Sequence, residues 1–535
     1  MASAADIRID PARTVLNQPP PLLPLNLFTT DPVLVEWLAR AGLSEQAYRR
    51  AEECGAYAGS QEAWEHCRRA ERNLPRLEAY DRYGNRVDRV ELDPSWHALM
   101  EGAIERGIHS LPWRGEEGGQ LLRGILFMLY CNTNAGVMCP VSMTTAAVPA
   151  LRAAAPDLAA RYEPGLLEND YQRVIVAGMA MTERQGGSDV RANITEATPQ
   201  EDGTYLLNGH KWFCSYPPCD IFLVLAQAPD GLSCFLAERG PGMEFQRLKD
   251  KLGTRSLPSS EVEFCNLPAR LVGEEGKGVK AIITMVNQTR LDCALSSAAA
   301  MRRGLVEALH HARHRTAFGR LLAEQPAMEN VLCDLAVEAE AAGHLALRVA
   351  AAFDDPDQAA FARLATPVAK YWICKRAPAH VGEALECLGG NGYVEDSGMP
   401  LLYRDAPLSS IWEGSGNVMA LDVLRAGGRD PQTVAAFLAE CRLAAGAHRL
   451  LDDHLKRLEG ELQGLPSPET AQLEARRLAE GLALALQASL LWRFSTPAVA
   501  EAFTVSRLAA GAPAVYGTLP AAVVRREILE RALPS

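Results

Sequence analysis

The sequence predicts an α+β fold: a mostly helical N-terminal part, a small antiparallel β domain, a helical bundle and a further helical appendix. Three observations carry this. Val35, Leu38, Ala39 and Leu43 repeat at helical spacing, and helical character continues over residues 33–155. From residue 174 short apolar runs alternate with turn signals and leave no room for helices between them. After Gly276-Lys277-Gly278 the helical period returns and persists.

In chain order, the run Pro19-Pro20-Pro21-Leu22-Leu23-Pro24 excludes helix, because proline lacks the amide proton and restricts the residue before it. Residues 121–130 form an apolar helical run, with Pro112, Pro140 and Pro149 punctuating the helical region. Strands are expected at Val174-Ile175-Val176, Tyr205-Leu206-Leu207, 221–226, 233–236 and 261–264. The turns between them fall at Glu201-Asp202-Gly203, Asn208-Gly209 and Pro229-Asp230-Gly231. One long helix is expected over 291–315, with Leu295, Leu305 and Leu309 as its buried stripe. A second is expected over 367–388, divided by Pro378 and stopped by Gly389-Gly390. Gly427-Gly428-Arg429-Asp430-Pro431 marks the start of the appendix, itself broken at Gly464-Leu465-Pro466-Ser467-Pro468. The expected domains are 1–172, 173–275, 276–428 and 429–535.

At 535 residues the chain exceeds one compact core. Its 54 basic and 66 acidic side chains leave a net charge of −12, so nothing global draws it to nucleic acid or anionic lipid. The thirteen cysteines show no C-x-x-C spacing, which predicts reduced thiols and no metal. The first thirteen residues carry Asp6, Arg8, Asp10 and Arg13 without an apolar core, and no run reaches the roughly 18 apolar residues of a membrane span. A cytoplasmic protein with no membrane partner is expected.

Five motifs carry chemistry. In Met179-Ala180-Met181-Thr182-Glu183-Arg184-Gln185-Gly186-Gly187-Ser188-Asp189-Val190, paired glycines open the backbone to a ligand while Thr182 and Ser188 offer hydroxyls. Taken alone it also reads as an ordinary capped turn. Downstream stands Gly209-His210-Lys211-Trp212-Phe213-Cys214-Ser215. In the bundle, Arg313-His314-Arg315-Thr316-Ala317-Phe318-Gly319 is followed by Gln325-Pro326, and Arg315 is a fork suited to phosphate oxygens or simply a basic helix end. Then come Leu388-Gly389-Gly390-Asn391-Gly392 and Ile411-Trp412-Glu413-Gly414-Ser415-Gly416-Asn417. A lone glutamate before glycine reads by itself as a solvated loop carboxylate.

In this order, over residues 180–417, these motifs resemble the acyl-CoA dehydrogenase family. The stretches 182–190, 210–213, 248–253 and 421–425, with Met301-Arg302-Arg303, Ile373-Cys374-Lys375-Arg376, Trp96-His97 and Cys139-Pro140, are similar to its AidB-type, alkylation-response branch. The resemblance weakens beyond about Gly427. It implies an FAD flavoprotein. The implied cofactor contacts are Met179, Met181, Thr182, Gly187, Ser188, Phe213, Cys214, Ser215, Trp412, Gly414, Ser415 and Asn417. Arg315, Phe318, Gln325, Gly389 and Gly390 are implied to meet FAD shared between subunits of a homotetramer. Thr182, Ser188 and Arg290 would meet the substrate. Glu413 would remove the α-proton of an acyl thioester while hydride leaves the β-carbon for flavin N5. Other members carry the base at the place of Thr289, which cannot serve here. Gly273-Glu274-Glu275-Gly276-Lys277-Gly278 lacks the context of a nucleotide loop and reads as a hinge.

Three functions are therefore in view: acyl-CoA dehydrogenation with an electron-transfer flavoprotein as acceptor, a DNA-associated protective flavoprotein, or a scaffold that keeps FAD for stability. Beyond Pro431 eleven basic residues meet eleven acidic ones, a neutral balance compatible with a one-sided basic face for nonspecific duplex DNA.

Overall fold

The computed structural model describes residues 15–463, 468–511 and 515–534. The N-terminal charge pattern at residues 1–13 and the appendix break at 464–467 lie outside the described residues.

Helices α1 (Pro32–Arg40), α2 (Glu45–Ala58) and α3 (Gln61–Arg72) start where sequence chemistry places a cap: Asp31, Ser44 and Ser60 each accept an amide of the first turn. A hairpin that helical spacing did not announce follows, β1 (Arg76–Tyr80) and β2 (Arg86–Glu91). Its alternation is weak because its residues are mostly exposed or half-buried, so no apolar period marks it. Then come α4 (Pro94–Glu105), α5 (Gly119–Cys131), α6 (Met138–Ala154) and α7 (Pro156–Leu166).

The β domain contains β3 (Ala177–Ala180), β4 (Glu196–Pro199), β5 (Tyr205–Cys214), β6 (Ile221–Ala228), β7 (Gly231–Glu238), β8 (Met243–Leu248) and β9 (Ser260–Val272). Pairing runs β6-β4-β5-β9-β7 and returns to β6, with β3 on β6 and β8 on β9. Three expectations change. Residues 174–176 precede the first strand rather than form it. Asn208-Gly209 is no turn: it lies inside β5 at a register shift, where Gly209 adopts φ +146° because Thr195 crosses too closely for a Cβ. And the sheet is not wholly antiparallel, since β3 and β4 both run parallel to β6.

Gly278 opens α8 (Gly278–His314), 37 residues, about 55 Å long. A Cβ there would stand 2.5 Å from the Ser233 backbone, so glycine lets the helix start directly against the sheet. After the small hairpin β10 (Thr316–Ala317) and β11 (Arg320–Leu321) come α9 (Pro326–Ala352), α10 (Ala359–Cys387), α11 (Met399–Asp405) and α12 (Gly416–Arg429). The sequence predicts a proline-divided helix from residue 367, yet α10 begins eight residues earlier and runs through both Pro367 and Pro378. Burial of Val368, Ile373, Ala377 and Val381 holds the helix together across both prolines. One buried ion pair ties the N-terminal helices to α8: Arg123 on α5 donates to Asp292 (2.8 Å), which also accepts from Ser142 of α6.

The appendix comprises α13 (Pro431–Arg442), α14 (Arg449–Gln463), α15 (Pro468–Phe494), α16 (Pro497–Arg507) and α17 (Arg525–Ala532). Phe437, Leu478, Leu482, Leu486 and Phe503 fill its interior, and it packs on α9, α10 and α12. Charge fastens it further. Arg507 binds Asp334 and Glu338, both buried on α9, with Glu338 at 3.1 Å; Arg531 binds Glu36 and Glu340. Replacing Arg507 by Ala takes from buried Asp334 its only cation among the described residues and from Glu338 one of two, Arg376 remaining, and should cost about 3 kcal/mol. The expected readout is a lower thermal midpoint with faster proteolytic cleavage within 431–534; an unaltered midpoint would show that packing alone holds the appendix.

Candidate active site

Between α6, the β domain, α8 and the loop before α12 lies a cavity of about 580 Å³. Four sequence features build it. Strand β3 contributes Met179 and hands the chain to Thr182, Gly187 and Ser188. Strand β5 delivers Phe213, followed by Ser215. Helix α8 contributes Thr289 and Arg290, and the loop contributes Trp412, Glu413, Gly414 and Ser415.

The Thr182–Ser188 loop is held from beneath by an ion pair with no solvent exposure, Lys211 Nζ to Glu183 at 2.7 Å. Burial would raise the Glu183 carboxyl, but the Ile194 amide and Lys211 outweigh it and bring it down to about 2. The Lys211 ammonium is lowered by burial to about 8 despite its partner. Beside Thr182, a Cβ on Gly187 would stand 2.5 Å from the threonine hydroxyl, so only glycine leaves this backbone open to a ligand.

Glu413 has φ +57° and Gly414 φ +104°, two left-handed residues in succession. For glutamate that conformation costs on the order of 1–3 kcal/mol. It is held by two cations that seize three consecutive carbonyls. Buried Lys370 of α10 donates to Trp412 O (2.8 Å) and to Gly414 O, while Arg290 Nε donates to Glu413 O (3.0 Å). Arg290 is anchored in turn on Asp422 (2.9 Å), which also binds Arg363 (2.8 Å).

The carboxylate so placed accepts a hydrogen bond from Thr289 Oγ1 at 2.7 Å. Thr289 also lies 3.0 Å from Val286 O. Its single proton can go to an ionised Glu413, or to Val286 while the hydroxyl accepts from a protonated one. Burial raises the Glu413 carboxyl above the ordinary range; the Thr289 bond, Lys370 and Arg290 pull against that rise. A base poised in this way suits proton removal from carbon. Cys139 and Lys251 also line the cavity; burial lifts the thiol to about 12 and brings the ammonium down to about 8.

The sequence-derived residues divide into groups. Met179, Met181, Thr182, Gly187, Ser188, Phe213, Ser215, Arg290, Trp412, Glu413, Gly414 and Ser415 line the cavity. Cys214 does not line it and is fully buried, so only its backbone can serve a ligand. Asn417 lies a step beyond, accepting from Arg476 of the appendix at 2.8 Å. Arg315, Phe318, Gln325, Gly389 and Gly390 line no part of it. Phe318, at the β10–β11 turn, is 99% exposed. Arg290 lines the cavity and is bonded to Glu413 O and Asp422, which gives it a positioning task. Lys370, Asp422 and Lys251 escaped the sequence reading, although a lysine inside the apolar stretch Pro367-Val368-Ala369-Lys370-Tyr371-Trp372-Ile373 is a signal.

Comparison with known proteins accords with this geometry. Residues 17–173 match the adaptive response protein AidB N-terminal domain, 178–267 the acyl-CoA dehydrogenase middle domain and 276–428 the acyl-CoA dehydrogenase C-terminal domain. The chain is 41% identical to the AidB protein of Escherichia coli K12, over 92% of this chain and 93% of that protein. It is 33% identical to acyl-CoA dehydrogenase family member 11 of Caenorhabditis elegans, over 91% and 83%. The crystal structure of Caenorhabditis elegans ACDH-11 in complex with C11-CoA superposes with a TM-score of 0.83 at 29% identity, covering 92% of each chain.

Replacing Lys370 by Met should release Trp412 O and Gly414 O at a cost of about 1.5–3 kcal/mol per lost bond. The expected result is a lower thermal midpoint and, in a crystal structure of the variant, a displaced 412–414 turn. A midpoint and turn identical to the parent's would mean that the clamp is not what holds Glu413.

Proposed function

Because the chain belongs to the acyl-CoA dehydrogenase family, an oxidoreductase family that acts on CH–CH groups and binds FAD, we propose that Glu413 is the base that takes the α-proton of an acyl-CoA in this cavity. The observation that carries the proposal is the Glu413 carboxylate, held in the cavity by a clamped left-handed turn and set against Thr289.

The cavity suits a flavin. Its volume is adequate, Met179, Met181, Phe213 and Trp412 give apolar walls, and Thr182, Ser188 and Ser215 offer hydroxyls to a polar ring edge. When bound, FAD supplies the acceptor for the hydride that leaves the β-carbon. Thr182 and Ser188, which line the cavity, would hold both the flavin and the thioester. The open Gly187 backbone and the Gly414-Ser415 turn serve the cofactor, with Asn417 beyond them. Glu413 takes the proton, Thr289 steadies it in either protonation state, and Arg290 and Lys370 fix its place. The apolar wall excludes water from the carbanion-like charge that develops.

Arg315, Phe318, Gln325, Gly389 and Gly390 form a surface outside the cavity, and we assign them to the cofactor of a second subunit in a homotetramer. Phe318 supports this, since so exposed a large apolar side chain gains from burial against a partner. An electron-transfer flavoprotein is the proposed acceptor, and a cytoplasmic location accords with the absence, among the described residues, of a helix long and apolar enough to cross a membrane.

Duplex DNA is the second reading, suggested by the AidB-type N-terminal domain. The expected one-sided basic face of the appendix is largely neutralised: Arg442, Arg449, Arg477, Arg493, Arg507, Arg526 and Arg531 all bind carboxylates. Arg525 is spent on backbone carbonyls. Lys456, Arg457 and Arg476 have no carboxylate partner among the described residues, and these would carry any duplex affinity. Fluorescence anisotropy on a labelled duplex should therefore show weak binding whose logarithm falls with log salt at a slope of only about −3, near −0.9 per neutralised phosphate. No binding at about 50 mM salt leaves the dehydrogenase reading alone standing.

Glu413→Gln should retain FAD yet lose acyl-CoA-dependent flavin bleaching by about 10²–10⁴-fold under anaerobic mixing. In the parent, bleaching should quicken as pH rises through the Glu413 pKa, which lies above the usual 4.5, because only the ionised carboxylate accepts the proton. Equal rates in parent and variant would assign the base elsewhere.

A further inference from the structure

A second, smaller chamber of about 80 Å³ abuts the cavity, and Trp412, Leu408, Thr254, Ser296 and Ala135 line both spaces. It lies further along α8. Ser297 in its wall stands eight residues beyond Thr289, about 12 Å along the helix. A thioester seated at Glu413 would thus direct the far end of a medium-length acyl group toward this chamber.

Its wall is not that of a pocket for a plain alkyl chain. Most of its polar side chains are occupied: Arg303 on Glu307, Asn134 on Glu71, and Asn132 on the carbonyls of Met128 and Leu129. Two are not. Ser297 is 3% exposed and its hydroxyl makes no hydrogen bond of ordinary geometry, although it stands close enough to the Cys374 thiol to favour the thiolate. The Trp412 indole N–H, at the wall between the two spaces, is likewise buried without a partner. A native structure rarely leaves buried polar atoms unpaired, and such atoms commonly await a ligand or water.

Asp405 adds a third group. Its Oδ1 accepts the Thr254 amide at 2.6 Å, while Oδ2 has no protein partner among the described residues. Burial, and then the neighbouring Glu71, push its carboxyl above the ordinary carboxylate range, which favours the protonated form that can donate.

We propose that this chamber is a subsite for the far end of the acyl group, and that the acyl group it selects carries an oxygen there, as a hydroxyl or carbonyl, held by Ser297, Trp412 and Asp405. This rests on the thioester reading above and adds the class of substrate. A site built to hydrogen-bond a substrate oxygen rejects the analogue lacking it far more strongly than an apolar pocket rejects one methylene.

The test uses the FAD-loaded full-length protein with two thioesters of equal non-hydrogen atom count, nonanoyl-CoA and ω-hydroxyoctanoyl-CoA. Flavin reduction is followed anaerobically and binding by calorimetry. The expected result is a kcat/KM and an affinity at least about tenfold higher for the hydroxy thioester. Ser297→Ala should narrow that ratio several-fold, with its flavin spectrum and thermal midpoint checking that it is folded. Equal treatment of the two thioesters by the parent, or an undiminished ratio in Ser297→Ala, overturns the subsite. If neither thioester reduces the flavin, the dehydrogenase reading fails, and the two affinities still decide the subsite by the same criterion.

Discussion

The geometry of the site depends on the grip of Lys370 and Arg290 on three successive carbonyls, Trp412, Glu413 and Gly414. A glutamate in a left-handed turn is strained, and a strained residue persists only where its surroundings over-determine it. Here they do so from two helices at once, α10 through Lys370 and α8 through Arg290. Buried cations are costly when unpaired. Lys370 is compensated by carbonyl dipoles and Arg290 by Asp422, so the charges that hold the base are themselves held. The same cations restrain the rise in the Glu413 carboxyl that burial alone would produce.

Helix α8 is the common wall. It meets the N-terminal helices through Arg123 and Asp292, meets the sheet at Gly278, and presents Thr289, Arg290, Ser296 and Ser297 along one side to both chambers. An acyl group lying along it would be read turn by turn, with proton chemistry at one end and selection at the other.

The appendix shows why counting charges does not locate a binding face. Eleven basic and eleven acidic residues leave the surface open to several interpretations, but Arg507 and Arg531 spend their charge fastening α16 and α17 to α9 and α1, and Arg493 of α15 shares Glu440 of α13 with Arg348 of α9. Arg476 does something else. It bonds Asn417 in the first turn of α12, so the appendix reaches the helix that follows the Glu413 turn directly. Removing the appendix would therefore disturb more than a peripheral surface.

The sequence by itself determined the order of the layers, most strands of the sheet and the greater part of α8 beyond residue 291, because period and turn chemistry are local properties. It could not show the hairpin of β1 and β2, whose exposed residues carry no apolar period, nor the parallel pairing on β6, which is a relation between strands distant in the chain. Asn208-Gly209 read as a turn because the local chemistry of that pair is turn chemistry; the crossing of Thr195 made it a bulge within β5. Only the tertiary structure placed Lys370 and Asp422 beside the Glu413 turn, committed Arg290 to it, and separated Arg315, Phe318, Gln325 and Gly389-Gly390 from the cavity. The physical reason is one and the same: whether a charged or polar side chain finds a partner depends on which distant segments pack beside it, and no local pattern records that.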